Sequence, residues 1–159
     1  MRPIQAIKKS AIHTHLGSCP MCGIPLDCEY FDDSKVADAP EIGAEVLLTR
    51  FELPPQYCGV LEYFAQFTDA YGKDPSRIAT PGLQWMILVN KRPLYPYVNL
   101  DTIVNPWGNG SFQVSIRLDE NATIEFKVRR MSNAAPEITR VGGRILGRYW
   151  YNAVYGDVV

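Results

Sequence analysis

The residues whose types and spacing best suit chemistry lie together near the amino terminus. Cys19 and Cys22 form a Cys-x2-Cys pair, Cys28 follows, and His13 and His15 stand just upstream. Such a turn presents two thiolates to one metal at about 2.3 Å each, and structural zinc sites add a second pair of Cys or His ligands. The spacing predicts a zinc site made by Cys19, Cys22, Cys28 and His15, with zinc as the expected cofactor.

Two other interpretations of the cysteines stay open. Assemblies that leave the cell meet oxidising surroundings, where neighbouring thiols can form disulfides. In that case Cys28 or Cys58 would form a disulfide within or between subunits. Alternatively, the cysteines are reduced and structural. A thioredoxin-like redox role is disfavoured, because the Cys-x2-Cys pair does not sit in a βαβ pattern. Cys58, before Gly59 in a predicted strand, is expected to be a small core residue.

The sequence contains no further pattern of catalytic residues. It has no Gly-x-Ser-x-Gly, no phosphate loop and no dinucleotide fingerprint. Its two histidines both lie near the amino terminus, so a Ser or Cys nucleophile elsewhere would lack a histidine base. The acidic residues fall in turns or at strand positions expected to face solvent, namely Asp101, Asp119, Glu120, Glu62 and Glu125. We therefore predict that the protein is not an enzyme.

A carbohydrate-binding β-sandwich module is an alternative function. Trp107 in a Gly/Asn loop, with Tyr95 and Tyr97 close in sequence, would suit sugar binding. The competing interpretation is that Trp107 closes the end of a sandwich and the tyrosines pack at its rim. Exposed Tyr and Trp are also typical of protein interfaces.

Composition limits the class of protein. The 159 residues fit one domain with an appendage, and the net charge of −1 argues against nucleic-acid and anionic-membrane partners. The apolar stretches are too short to span a bilayer, and the first residues lack the apolar core of a secretory signal, so synthesis in a cytoplasm is expected. Twelve Gly, twelve Pro and nine Tyr favour a turn-rich all-β fold.

The chain divides into two parts by composition and sequence pattern. Residues 1–44 are rich in Gly, Pro, Asp and Ser with few aliphatic pairs, which predicts an extended, irregular arm ordered by docking on a neighbour. Residues 45–159 are predicted to form a jelly-roll-like antiparallel β-sandwich. Short apolar or alternating runs predict strands at 46–53, 57–68, 83–89, 98–104, 112–118, 123–131 and 140–150.

Several local features refine this prediction. The near-continuous apolar run at 83–89 favours a central strand that ends in a turn at Asn90 and Lys91. A bulge or kink is expected at Gly59, and a helix over 61–67 is the alternative to a strand there. The alternating segments 112–118 and 123–131, joined by an acidic turn, predict a β-hairpin. Three glycines in the last strand suggest bulges or close backbone approach.

Four segments together carry a family resemblance. They are FELPPQYCGV at 51–60, WMILVNKRP at 85–93, IRL at 116–118 and VGGRILGRYW at 141–150. This set resembles small β-sandwich structural proteins of tailed bacteriophage virions, with Lys91 where that family has a turn glycine and with Gly147-Arg-Tyr-Trp150 as its closing motif. The resemblance covers residues 46–151 and leaves the cysteine segment outside it.

The resemblance implies a non-enzymatic virion component, of the capsid decoration or cement type or of the neck or collar type. Its partners would be capsid, portal or neck subunits and copies of itself, with no nucleic acid and no membrane. Its location would be the virion, after synthesis in the host cytoplasm. A zinc knuckle or disulfide would lock the arm after assembly. A small zinc-binding protein centred on the Cys-x2-Cys pair is a further alternative.

Native mass spectrometry with and without chelator and reductant checks the cysteine prediction. We expect a mass increment of one zinc per chain that chelator removes and that Cys19→Ser abolishes, because zinc binding requires a complete thiolate set. Cys58→Ser is the control and should keep the metal. Covalent multimers that reduction converts to monomers would show disulfides instead.

Overall fold

The structure is a computed structural model that describes residues 24–25, 28–69, 82–94 and 111–151. These residues form eight β-strands. The strands are β1 Glu29–Asp38, β2 Glu45–Glu52, β3 Tyr57–Thr68, β4 Leu83–Val89, β5 Arg92–Pro93, β6 Ser111–Leu118, β7 Thr123–Arg130 and β8 Arg140–Tyr151.

The strands build two four-stranded antiparallel sheets. The first sheet has the order β1-β8-β3-β6 and the second has the order β2-β7-β4-β5. The pairs β1·β8, β2·β7, β3·β6 and β4·β5 are those of one long hairpin, and the pairs β3·β8 and β4·β7 form when that hairpin rolls up on itself. This is the jelly-roll arrangement, so the predicted antiparallel β-sandwich is confirmed.

Aromatic side chains fill the space between the two sheets. Phe64 of β3 meets Phe126 of β7 with ring centroids 5.7 Å apart, and Trp85 of β4 lies 5.8 Å from the same ring. At one margin of the sandwich, Phe31 of β1 stacks on Phe51 of β2 at 4.2 Å with an interplanar angle of 8°. These contacts link the sheets across the core and at an edge.

Two glycines of β8 make room for these rings. A Cβ at Gly147 would lie 2.2 Å from the carbonyl oxygen of Val60 and 2.4 Å from Phe31. A Cβ at Gly143 would lie 2.7 Å from the ring of Phe126 in the opposite sheet. The prediction of close backbone approach at the glycines of this strand is therefore confirmed.

Most of the predicted strands match the observed ones within two residues. The strands predicted at 57–68 and 83–89 coincide with β3 and β4, whereas the one predicted at 98–104 lies outside the described residues. Asn90 and Lys91 both have positive φ (52° and 64°), as a two-residue type I′ turn requires. β4 is central only in part, because β5 pairs with its last two residues alone.

The prediction for the middle of β3 requires two changes. Residues 61–67 belong to a strand and not to a helix. The irregularity also lies at Leu61 to Tyr63, where the pairing of β3 with both neighbours shifts, and not at Gly59. Gly59 instead permits close approach, since a Cβ there would lie 2.6 Å from the carbonyl oxygen of Arg148.

The domain boundary predicted at 44/45 is wrong for residues 29–38. These residues form β1, which pairs with β8 along its whole length and buries Phe31 in the core. The segment EYFDDSKVAD looks irregular in sequence because β1 is an edge strand, and charged side chains are usual there. The sandwich therefore begins before residue 45.

The predicted β6–β7 hairpin is also wrong in its pairing. β6 belongs to the first sheet and β7 to the second, so residues 119–122 cross from one sheet to the other. Alternation shows which side of a strand is buried but does not identify its neighbour. Both strands have an apolar side toward the common core, which fits either arrangement. Glu125, predicted to face solvent, is only 7% exposed.

Substituting Gly147 by Ala should destabilise the protein strongly. The added methyl would meet a backbone oxygen that cannot rotate away, so we expect a loss of roughly 3 kcal/mol or more in the free energy of unfolding. Urea denaturation of both proteins measures it.

Gly142→Ala is the matched control in the same strand. Its Cβ would face the outer side, 3.1 Å from a methyl of Val36, 3.2 Å from the carbonyl oxygen of Lys35 and 3.3 Å from the ring of Phe67. A loss below about 1 kcal/mol is expected there. Equal losses at the two positions would contradict the argument.

Candidate functional site

The predicted zinc ligands can be placed only in part. Cys19, Cys22 and His15 lie outside the described residues, whereas Cys28 is half-buried just before β1 with a free thiol. Within the described ranges, no group of three or more His, Cys, Asp or Glu side chains could hold a metal ion. The predicted zinc site remains a prediction.

Cys28 and Cys58 lie on either side of β8. The register places Cys58 opposite Trp150, and its continuation by one residue brings Cys28 level with the same tryptophan. Two strand spacings separate their Cα atoms by about 10 Å, which is beyond the range of about 4.4 to 6.8 Å for a disulfide. A bridge between these two cysteines within one chain is therefore excluded. Burial raises the pKa of the half-buried Cys58 thiol.

The outer side of the first sheet is the strongest candidate for a functional surface. Alternation along β1, β3 and β8 points one set of side chains away from the core, and this set is rich in aromatic and aliphatic residues. We call it the outer face, and it comprises Tyr30, Asp32, Ser34, Val36, Val60, Tyr63, Ala65, Phe67, Arg144, Leu146, Arg148 and Trp150. Tyr30, Val36, Tyr63 and Phe67 are between 41% and 67% exposed.

The outer side of the second sheet differs from it in chemistry. Its exposed positions carry several charged side chains, and two pairs of them form ion bridges, Lys127 with Glu45 at 3.4 Å and Arg50 with Glu52 at 3.1 Å. Isolated exposed apolar residues are ordinary on proteins, but a contiguous group marks a binding surface. The contrast therefore assigns the candidate site to the first sheet.

A shallow groove crosses the outer face. Ala65 and Arg144 lie side by side in its floor, with Tyr63 and Leu146 on one side and Phe67 on the other. Two adjoining depressions of about 310 and 290 Å³ share this floor. Four residues of extended chain separate the two aromatic walls by about 13 Å. The groove is wide enough for an extended peptide or a short sugar chain.

Two arginines of the outer face are held by carboxylates. Arg144 of β8 donates two hydrogen bonds to Asp32 of β1, the one from Nε at 2.7 Å. Arg148 donates two to Glu62 of β3, the one from Nε at 2.8 Å. The forked geometry fixes each guanidinium in a single orientation. Such preorganised arginines lose little entropy when a partner binds.

The second of these pairs depends on the irregularity of β3. Between Leu61 and Tyr63 this strand has one residue more than β8, and that residue is Glu62. Bulges commonly redirect a side chain, and here the carboxylate reaches Arg148. The side chains are 27% and 22% exposed, so the pair is partly shielded from solvent. The hydrogen bonds with Glu62 raise the pKa of Arg148.

Sequence reasoning missed the outer face. Arg144, Leu146, Arg148 and Trp150 alternate with core residues in the last strand, but alternation alone does not show that neighbouring strands add Tyr63 and Phe67 beside them. The aromatic residues predicted for sugar binding, Trp107, Tyr95 and Tyr97, lie outside the described residues.

Comparison with known proteins gives no relative, since no family model matches the chain and no curated protein shows significant similarity to it. Across the described ranges, no helix has the length and apolar character needed to cross a membrane.

Asp32→Asn should reduce stability in a pH-dependent way. The hydrogen bond from Arg144 lowers the pKa of the Asp32 carboxyl in the folded protein. Its stabilisation is therefore present above the unfolded pKa of about 3.9 and is lost as the pH falls through the lower folded value. We expect the free energy of unfolding of the wild type to exceed that of the variant by a small amount at pH 7. This difference should disappear below about pH 4.

Urea denaturation across this pH range measures the difference. Asp119→Asn is the control, because the Arg117–Asp119 pair is much more exposed, with side chains 85% and 77% accessible, and should contribute less. A difference that stays constant from pH 7 to pH 3 would contradict the assignment.

Proposed function

We propose that the protein is a non-enzymatic structural component of a bacteriophage virion, either a capsid decoration or cement protein or a neck or collar protein. In this proposal it binds neighbouring virion subunits through the outer face of its first sheet and through the chain that precedes β1. The observation that carries the proposal is the exposed aromatic outer face with its fixed arginines.

The chemistry of the outer face suits a protein partner. Tyr, Trp and Arg are the residues that most often dominate the energy of protein interfaces, and Met, Phe and Arg are enriched there. Here Tyr63, Phe67 and Trp150 surround Arg144 and Arg148 on one side of one sheet. Because both guanidinium groups are already paired, burying them at an interface would leave no charge unmatched.

The topology supports a role as a rigid building block. Jelly rolls recur in viral capsid proteins and also in lectin domains, so the fold is compatible with a virion protein. The resemblance to phage sandwich proteins adds support, since its segments lie in β3, β4, β6 and β8 of the described sandwich. Its last segment, 141–150, also supplies the arginines of the outer face.

The chain before β1 has a second role in this proposal. Because β1 is part of the first sheet, a contact arm would comprise only the residues that precede Glu29, and these include Cys19, Cys22, Cys28 and His15. The arm would leave the sandwich beside Tyr30 and Arg148, at the corner of the outer face. An arm and a face that meet at one corner can bind the same neighbour.

A carbohydrate-binding module is the second candidate, and the groove is the observation in its favour. Tyr63 and Phe67 form walls on either side of Ala65, and Arg144 and Asp32 supply polar groups beside them. Sugar rings could stack on the aromatic walls. A glycan array distinguishes the two candidates.

The proposal predicts that the protein is part of phage particles. Tailed particles released by cells that carry the gene should, after density-gradient purification, contain this chain at a stoichiometric level that mass spectrometry can count. Cryo-electron microscopy should then place the sandwich on the capsid or neck. Particles without the chain would contradict the proposal, and glycan binding lost in Tyr63→Ser/Phe67→Ser would favour the second candidate.

The same double variant tests the surface. Added back to particles that lack the chain, Tyr63→Ser/Phe67→Ser should bind roughly several hundredfold more weakly than wild type, because central aromatic residues of an interface each contribute about 2 kcal/mol or more. Met131→Ser is the control, since Met131 is 54% exposed but lies outside the outer face.

A further inference from the structure

The four sheet edges of the described sandwich are protected to different degrees. The edge strands are β1 and β6 in the first sheet and β2 and β5 in the second. An edge strand presents unpaired N–H and C=O groups that can pair with another strand. Natural proteins block such pairing with charged side chains, bulges, proline or very short strands.

Three of these edges carry such protection. β1 contains five charged residues among its ten. β2 contains three charged residues, and its pairing shifts between Leu47 and Thr49. β5 consists of two residues, one of which is Pro93. Pairing of another strand with any of these edges would be opposed by charge or by lack of length.

β6 has less of this protection, although its pairing with β3 also shifts, between Leu61 and Tyr63. Its eight residues, SFQVSIRL, include one charged side chain, Arg117, and neither glycine nor proline. Side chains alternate along it, with Gln113, Ser115 and Arg117 exposed on the outer side and Val114 and Ile116 half-buried toward the core. Among the described strands it pairs with β3 alone. β6 thus has the length and the alternation of side chains that strand addition requires.

We propose that β6 is the segment through which two copies of this chain join, by antiparallel pairing of β6 with β6 about a two-fold axis. This inference deepens the proposed function and rests on it only for the statement that copies assemble in a particle. The result would be a continuous eight-stranded sheet across the two copies. The outer faces of both copies would then lie on the same side of that sheet.

The sequence of β6 suits pairing with itself. With the two-fold axis at Ser115, each Ser115 lies opposite its counterpart, and Gln113 of one copy lies opposite Arg117 of the other. Val114 then lies opposite Ile116 on the core side. In this register each residue lies opposite a residue of the same side of the sheet. Exposed side chains therefore stay on the outer side, and core-side residues stay on the core side. No two like charges meet, and cross-strand neighbours of this kind stabilise a sheet.

Charge substitutions at Ser115 test the two-fold pairing. Ser115→Glu and Ser115→Lys each place like charges directly opposite each other in a homodimer. Sedimentation velocity of the full chain should show a wild-type dimer and, for each variant alone, dimerisation weaker by at least about tenfold. A mixture of the two variants should dimerise again, because opposite charges then meet across the axis.

Ser34→Glu is the matched control. Ser34 is exposed on the same outer face, but it lies in β1 at the other edge of the sheet, so this variant should dimerise as the wild type does. Three results would overturn the inference: a wild type that stays monomeric, a dimer that is insensitive to Ser115→Glu, or, in the monomeric variant, protection from hydrogen exchange of those β6 amides that point away from β3. The last result would show that the chain covers its own edge.

The two proposals fail in different ways. A monomeric chain found in phage particles would overturn the β6 inference and leave the proposed function standing. A chain that dimerises through β6 but is missing from particles would overturn the virion role alone.

Discussion

The seating of aromatic rings on the glycines of β8 is the contact on which the sandwich depends. Gly143 receives Phe126 from the opposite sheet, and Gly147 receives Phe31 from β1. In a close-packed interior, a methyl at either position has no empty volume to occupy. Phe31 in turn stacks on Phe51 and joins the two sheets at their margin. The two glycines of β8 therefore set both the spacing of the sheets and the position of their edge.

The same strand also organises the outer face. Residues of β8 alternate, so the strand that seats two rings on its inner side presents Arg144 and Arg148 on its outer side. Each arginine is tied to a neighbouring strand, one to Asp32 and the other to Glu62. Core packing and the outer face are thus linked through a single backbone, and a shift of β8 would disturb both.

The outer face and the edge at β6 suggest how a small sandwich could join a larger assembly. A face supplies side-chain contacts in which aromatic residues and arginines carry most of the energy. An edge supplies main-chain hydrogen bonds, which require little sequence specificity and set orientation. A protein that uses both can contact a different neighbour through each, which is the geometry a particle component requires.

The sequence by itself determined where most strands lie and which side of each is buried. Residues 57–68 and 83–89 carry that information locally, because the two-residue period of a strand and its turn residues depend on near neighbours. Asn90 and Lys91 fixed one turn in the same local way.

Only the tertiary structure decided which strands pair, and therefore what the surface contains. β6 and β7 look like a hairpin in sequence yet lie in opposite sheets, and the acidic β1 looks irregular yet closes the first sheet. Pairing brings together residues far apart in the chain, such as Asp32 and Arg144, and no local pattern records that choice. The outer face combines side chains of β1, β3 and β8, which are far apart in the chain, so alternation located these strands but could not assemble the face.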